Sequence, residues 1–378
     1  MIHYKALEDQ FIVWFSKANQ YLVVDSLTKR IIELLDQGFK TEQLLEEIEN
    51  IGKFSLSEVK ERIRQVDKNI YQVLIHGFSD EMSNVERELP NNPSHSAQHR
   101  IYKIDSLLFE IQFSGKRDFL LIHPKFKHLE VLENSLQNKN DIAIKIKTVV
   151  SDGFYHLEFD GSYVNRWQSN ELHYLIGRLY MLILERIHDK EESEWGAVFH
   201  ASAIGDDKSN VMMMGESGSG KSTSVALLNA HGLKCIADDF VPMDKNFKVY
   251  PFPAGISIKH GSLKPLKAFY PDLNKEESYD LSINKKAIRY LPLQHDDLRY
   301  SSICKALIFV KYDPDHFHQM ERMSVLEAFQ ILIPESWLSD DPEFVGNFLE
   351  WCSNIPCYRL RYCDAEKMVH SVRELMRS

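Results

Sequence analysis

The chain has 378 residues, with 45 Lys and Arg against 55 Asp and Glu, a formal net charge of −10, and 44% hydrophobic and 26% charged residues. These are the proportions of an ordinary globular protein of two or three domains. The acidic balance argues against nucleic-acid binding driven by bulk charge, and no apolar stretch approaches membrane-spanning length. Five cysteines without a C-x-x-C pair argue against a zinc module. The start, MIHYKALEDQ, lacks the basic-then-apolar layout of a secretion signal, and an odd cysteine count fits reduced thiols. The expected location is therefore cytoplasmic. Cys352, Cys357 and Cys363 stand among apolar neighbours such as Trp351, Ile355 and Leu360, which favours plain burial over metal binding.

In chain order, residues 1–78 read as a small α+β unit. Ile12–Phe15 and Tyr21–Val24 form a hairpin around Lys17-Ala18-Asn19-Gln20. Ser26 can cap a helix carrying Ile31, Ile32, Leu34 and Leu35 and ending at Gly38. Thr41 opens a second helix with Leu44, Leu45 and Ile48. Ser55 or Ser57 opens a third, with Val59, Ile63, Val66 and Ile70 at helical spacing. A hairpin with three short helices has the layout of a winged-helix module.

Residues 79–100 are polar, contain Pro90-Asn91-Asn92-Pro93, and read as a linker. Residues 101–194 form a β-rich region that packs on the core. Leu107–Phe113, Ile142–Ile146 and Tyr155–Phe159 alternate as strands do, and one apolar helix, Glu171–Ile187, follows Asn170. The catalytic core is expected over 195–378. Its strands are Ala197–Ile204, Val211–Met214, Lys234–Ala237, Ile256–Ile258, Ala306–Val310 and Tyr358–Tyr362. Its late helices are Ser324–Leu332, Asp341–Cys352 and Ala365–Met376. Alternating strands and helices predict an α/β class with a mixed sheet.

The most specific signal lies in that core. Residues Gly215-Glu216-Ser217-Gly218-Ser219-Gly220-Lys221-Ser222-Thr223 match G-x-x-x-x-G-K-[ST] between a strand and the helix Ser222–Ala230. Glycines let the backbone curl so that N–H groups converge on an anion, and the helix N-terminus adds its dipole. Lys221 can reach the β- and γ-phosphates, and the Ser222 hydroxyl can hold Mg²⁺. Asp238 and Asp239 close the next strand, where a carboxylate commonly partners the metal. Adjacent strand residues point to opposite faces, so both acids serve one site only if the strand ends or bends there. His200, 21 residues before Lys221, sits in Phe199-His200-Ala201-Ser202-Ala203; a lone histidine in an apolar strand reads first as a buried, hydrogen-bonded residue. Lys259, Lys285, Lys286 and Arg289 are further cations able to meet phosphate charge.

Taken together, Phe199-His200-Ala201-Ser202-Ala203, the phosphate loop and Ile236-Ala237-Asp238-Asp239 resemble the C-terminal kinase domain of the HPr kinase/phosphorylase family. Ile355-Pro356-Cys357-Tyr358-Arg359-Leu360 before a last helix resembles that family's closing strand. The resemblance covers about residues 195–378 and extends to a superfamily that includes phosphoenolpyruvate carboxykinase-like folds. It implies a mixed-sheet P-loop kinase core that binds ATP, with GTP left open, through residues 215–223. It further implies that Ser222 and Asp239 hold Mg²⁺, that Asp238 is the general base, and that Lys221 and His200 act at the transfer site. The acceptor it implies is a serine-type hydroxyl, on a peptide or small protein or on a small molecule such as free serine; a nucleotide sensor without transfer is the non-enzymatic alternative. Relatives often assemble into oligomers. The chain departs from the family at Thr223, where kinases of HPr commonly carry glutamate, and it lacks a recognisable phosphorylase-associated glycine-rich segment. Tyr21–Asp25, followed by the helices at Ile31–Asp36 and Thr41–Leu44, is similar to PqqD-like peptide-recognition domains, which implies that a peptide adds as a strand.

Overall fold

A computed structural model describes residues 1–49, 56–77, 98–136, 143–280, 287–293, 298 and 300–377. Ser55, Pro90–Pro93, Lys285 and Lys286 fall outside the described residues. The chain is α/β with mixed sheets. It divides into two compact units: Met1–Val85 with Met323–Pro334 and Ser339–Ile355, and Glu86–Arg322 with Glu335–Leu338 and Pro356–Ser378.

The first unit carries a three-stranded antiparallel sheet, not a lone hairpin. Ile2–Leu7 joins Gln10–Phe15 and Gln20–Val24, with Tyr4 opposite Val13 and Trp14 opposite Tyr21. Helix Ser26–Asp36 is capped by Asp25, one residue before the expected Ser26; its carboxylate accepts from Thr28 N at 2.7 Å. A carboxylate also suits the positive end of the helix dipole. Ile31, Ile32, Leu44, Ile63 and Val66 pack with Val13 and Phe15 into one core. Two helices assigned from sequence to the catalytic core, Val325–Leu332 and Pro342–Asn354, belong to this unit instead. The contacts explain why. Ser324 Oγ donates to the Glu8 carboxylate at 2.8 Å, Phe329 sits edge-on to Tyr21 at 6.1 Å, and Lys5 pairs with Glu350.

The second unit holds two larger sheets. In the six-stranded one, Glu130–Val131, Gln98–Ile104, Leu107–Phe113, Ile144–Ser151, Phe154–Phe159 and Ser162–Gln168 lie side by side in that order. Helix Lys116–Phe126, absent from the sequence reading, lies between Leu107–Phe113 and Ile144–Ser151, which pair in parallel. A parallel pair needs such a crossover.

In the ten-stranded sheet, Lys234–Asp238, Ser202–Gly205, Ser209–Met214 and Ser302–Tyr312 are consecutive neighbours. The sheet forks along the far side of the long strand Ser302–Tyr312. Lys248–Val249 pairs with its start and leads on to Val241–Asp244, Trp195–Phe199 and Ser336–Leu338, while Cys357–Tyr362 pairs in parallel with its end. Lys234–Asp238 and Ser209–Met214 are both antiparallel to Ser202–Gly205, so they run the same way. Ser302–Tyr312 runs parallel to Ser209–Met214. Their C-terminal ends therefore meet at one end of the sheet, the usual place for a ligand in an α/β fold.

Helix Lys221–Ala230 is buried on several faces, which explains its run of small and apolar residues. Val225, Leu227 and Leu228 pack with Ile204, Val211 and Met213 and with Val369 and Val372 of the last helix, Ala365–Arg377. The loop before this helix uses positive φ at Gly215 (137°), Gly218 (90°) and Gly220 (103°). Gly215 is the tightest. A Cβ there would lie 2.8 Å from Ser219 Oγ and 2.9 Å from the Val310 carbonyl oxygen. Gly215→Ala is expected to cost about 2 kcal/mol of stability, from steric clash and left-handed strain. A denaturation midpoint equal to wild type would contradict this.

Candidate functional site

The loop strand Ser209–Met214 delivers Gly215 at the sheet end, and Gly220 turns the chain into the helix. The loop is braced from behind: Tyr312 N donates to Ser219 O at 2.7 Å, and Ser224 Oγ meets Tyr362 OH at 2.8 Å. Lys221 is only 6% exposed, and its Nζ donates to the Gly215 and Glu216 carbonyls. Burial lowers its pKa, against the opposing fields of Asp239, Asp238 and Glu335. Glu216, Ser217 and Gly218 form the exposed crest. Lys259 Nζ donates to Ser217 Oγ at 2.7 Å, which brings one of the four candidate cations to the loop. Arg289 Nε donates to Glu276 O at 3.2 Å. Thr223 Oγ1 lies 2.5 Å from Ser262 Oγ.

The acids separate in the way one site requires. Strand Lys234–Asp238 ends at the first acid, and Asp239 turns into the left-handed region at φ 64°. Asp238 is 2% exposed. Its Oδ1 accepts from Ser202 Oγ and from Ser222 Oγ (3.1 Å), and its Oδ2 from Ser257 N (2.9 Å) and Ser257 Oγ (3.3 Å). Burial, and then the charge of Asp239, push its carboxyl up to about 6, although the donors from Ser202 and Ser257 oppose this. Asp239 Oδ2 accepts from Ser257 Oγ at 3.1 Å and faces Lys125 Nζ at 3.5 Å. Its carboxyl lies below the ordinary value: burial acts the other way, but Lys125, His200, the Ser257 hydroxyl and Lys221 outweigh it.

His200 is not inside a strand. The expected strand Ala197–Ile204 is two strands, Trp195–Phe199 and Ser202–Gly205, which pair with different neighbours. Between them the chain bends at His200 and Ala201; His200 N donates to Glu335 O at 2.8 Å and its side chain is exposed. This corrects the reading of a core histidine and leaves the ring close enough to Asp239 to favour its charge. Cys363 is likewise exposed, while Cys352 and Cys357 are buried.

The structure thus gathers residues 215–223, Asp238, Asp239, His200 and Lys259. It adds Ser202, Ser257 and Lys125, which the sequence reading missed. Ser202 lies inside the Phe199–Ala203 motif, but its place beside Asp238 comes from the register of the two strands, which pairs these residues. Ser257 and Lys125 carry no local signal. No family model matches the chain, and no curated protein matches it. Among the described residues no helix is long and apolar enough to cross a membrane.

Proposed function

We propose that the chain is a magnesium-dependent kinase that transfers the γ-phosphoryl group of ATP to a hydroxyl, serine of a peptide or small protein being the favoured acceptor. The observation that carries this reading is the 3.1 Å contact between Ser222 Oγ and Asp238 Oδ1 beneath the phosphate loop. A loop hydroxyl and a strand-end carboxylate are both hard oxygen donors of the kind magnesium takes. Bound there, the ion would neutralise charge on the phosphate oxygens.

The geometry favours a division of labour that reverses the one implied by family resemblance. Asp238, buried against Ser222, suits the metal side. Asp239, less enclosed and beside His200 and Lys125, suits the proton from the acceptor hydroxyl. Lys221 and Lys259 flank the loop and fit the β- and γ-phosphates. Little covalent chemistry is asked of the protein; positioning and charge do the rest. The first unit favours a peptide acceptor, because a small three-stranded sheet with outer strands Ile2–Leu7 and Gln20–Val24 is the kind of element to which a peptide strand adds.

The test is transfer of label from γ-labelled ATP, with magnesium, to serine-containing peptides and to free L-serine in parallel. Label on peptide serine is the expected result. Label on free serine alone would make the acceptor a small molecule, and nucleotide binding without any transfer would leave a sensor. Because His200 is exposed at a bend, His200→Ala is expected to leave the melting temperature unchanged while lowering turnover about 10²-fold. An unchanged rate would remove His200 from the site.

A further inference from the structure

Lys125 comes from the six-stranded layer rather than from the sheet that carries the loop. Its helix, Lys116–Phe126, is held firmly. The Asp118 carboxylate accepts from Ser114 N at 2.7 Å and Gly115 N at 2.9 Å at one end. Tyr102 OH and His123 Nδ1 lie 2.9 Å apart along it, and Phe126 meets Tyr180 edge-on at 5.6 Å. The Lys125 carbonyl accepts from Gly255 N at 2.8 Å. That bond ties the helix end to the start of strand Ile256–Lys259, which supplies both Ser257 and Lys259 to the site. The Lys125 ammonium then lies between Asp239, at 3.5 Å, and the ring of Tyr180, at 5.5 Å from its centroid. Tyr290 and Asp238 also act on it, and its charge is held up by Tyr180 and Asp239 despite burial.

We propose that Lys125 is a positioning residue of the phosphoryl-transfer site: its ammonium, with the Ser257 hydroxyl, fixes the Asp239 carboxylate toward the acceptor, so the six-stranded layer completes the site. The inference rests on the phosphotransferase reading. Two features separate it from a packing role. A buried ion pair is a poor stabiliser compared with apolar side chains of similar volume, so packing alone would be served as well by methionine. Asp239 also stands at φ 64°, a conformation that costs a non-glycine residue energy and is kept where surrounding contacts impose it.

The test is a double-mutant cycle on the full chain, with magnesium–ATP as the probe and ADP formation as the readout. Lys125→Met is expected to lower kcat about 10- to 100-fold, with KM for ATP within about threefold of wild type. Lys125→Met combined with Asp239→Asn is expected to be no slower than Asp239→Asn alone, because both act through one carboxylate. A Lys125→Met enzyme at the wild-type rate, or losses that multiply in the double variant, overturns the proposal. If Lys125→Met does not fold, Lys125→Gln takes its place in the same cycle under the same criteria. A wild-type chain that neither binds nor turns over magnesium–ATP sinks the kinase reading and this inference together; a working wild type with an indifferent Lys125 variant sinks this inference alone.

Discussion

Asp238→Asn is expected to remove magnesium-dependent turnover, by about 10³-fold or more, while leaving the magnesium-free protein at least as stable as wild type near neutral pH. The second half follows from burial. The Asp238 carboxyl is pushed up to about 6 from an ordinary 3.8, first by desolvation and then by Asp239. A carboxyl with a raised folded-state value binds its proton more tightly when folded. Its contribution to stability is fully present below about pH 4 and is lost as pH rises through about 6. Ionising this carboxyl in the fold therefore costs stability at neutral pH. Asparagine escapes that cost and can keep the contacts. Its Oδ1 can accept from Ser257 N, while its Nδ2 donates to the Ser202 and Ser222 hydroxyls, which rotate to accept. Thermal melts in EDTA should show the variant at or above wild type at pH 7.5, with the difference fading toward pH 4. A variant several degrees below wild type at pH 7.5 would contradict the picture of a strained, buried acid.

Lys221→Met should weaken magnesium–ATP binding about 10²-fold or more, the loss of a charged hydrogen bond worth about 3 kcal/mol. Lys221 spans the loop to the Gly215 and Glu216 carbonyls, and its ammonium lies in the field of Asp239, Asp238 and Glu335. Triphosphate oxygens would offer that ammonium stronger acceptors than two carbonyls do. Methionine keeps the stem and loses the charge, so adenosine, which carries no phosphate, should bind both proteins alike. Calorimetry with ATP and with adenosine checks both halves. Equal ATP affinity in the two proteins would place the triphosphate away from Lys221.

The sequence shows some parts of this site plainly and others hardly at all, for physical reasons. The phosphate loop is legible because its glycines, lysine and serine must be contiguous to wrap one anion. The acid pair is legible because it closes an apolar strand, and the condition that the strand end there is met at Asp238. His200 taken alone reads as buried because its neighbours in Ala197–Ile204 are mostly small or apolar, and nothing in their period tells one strand from two that bend apart at His200 and Ala201; only the family resemblance points it to the transfer site. Lys125 is invisible because its role depends on a contact made 114 residues along the chain, at Asp239. The helices Val325–Leu332 and Pro342–Asn354 are legible as helices, yet their unit is not, because Glu8, Tyr21 and Lys5, which hold them, lie more than 300 residues away in sequence.

Whether Ser222 and Asp238 beneath the glycine loop make a magnesium–triphosphate site is decided by calorimetric titration of ATP with and without magnesium, on wild type and on Asp238→Asn. One nucleotide per chain is expected on wild type, at least about tenfold tighter with magnesium, with no magnesium effect on Asp238→Asn. No binding by wild type at millimolar ATP, or a magnesium effect that survives in Asp238→Asn, would contradict it.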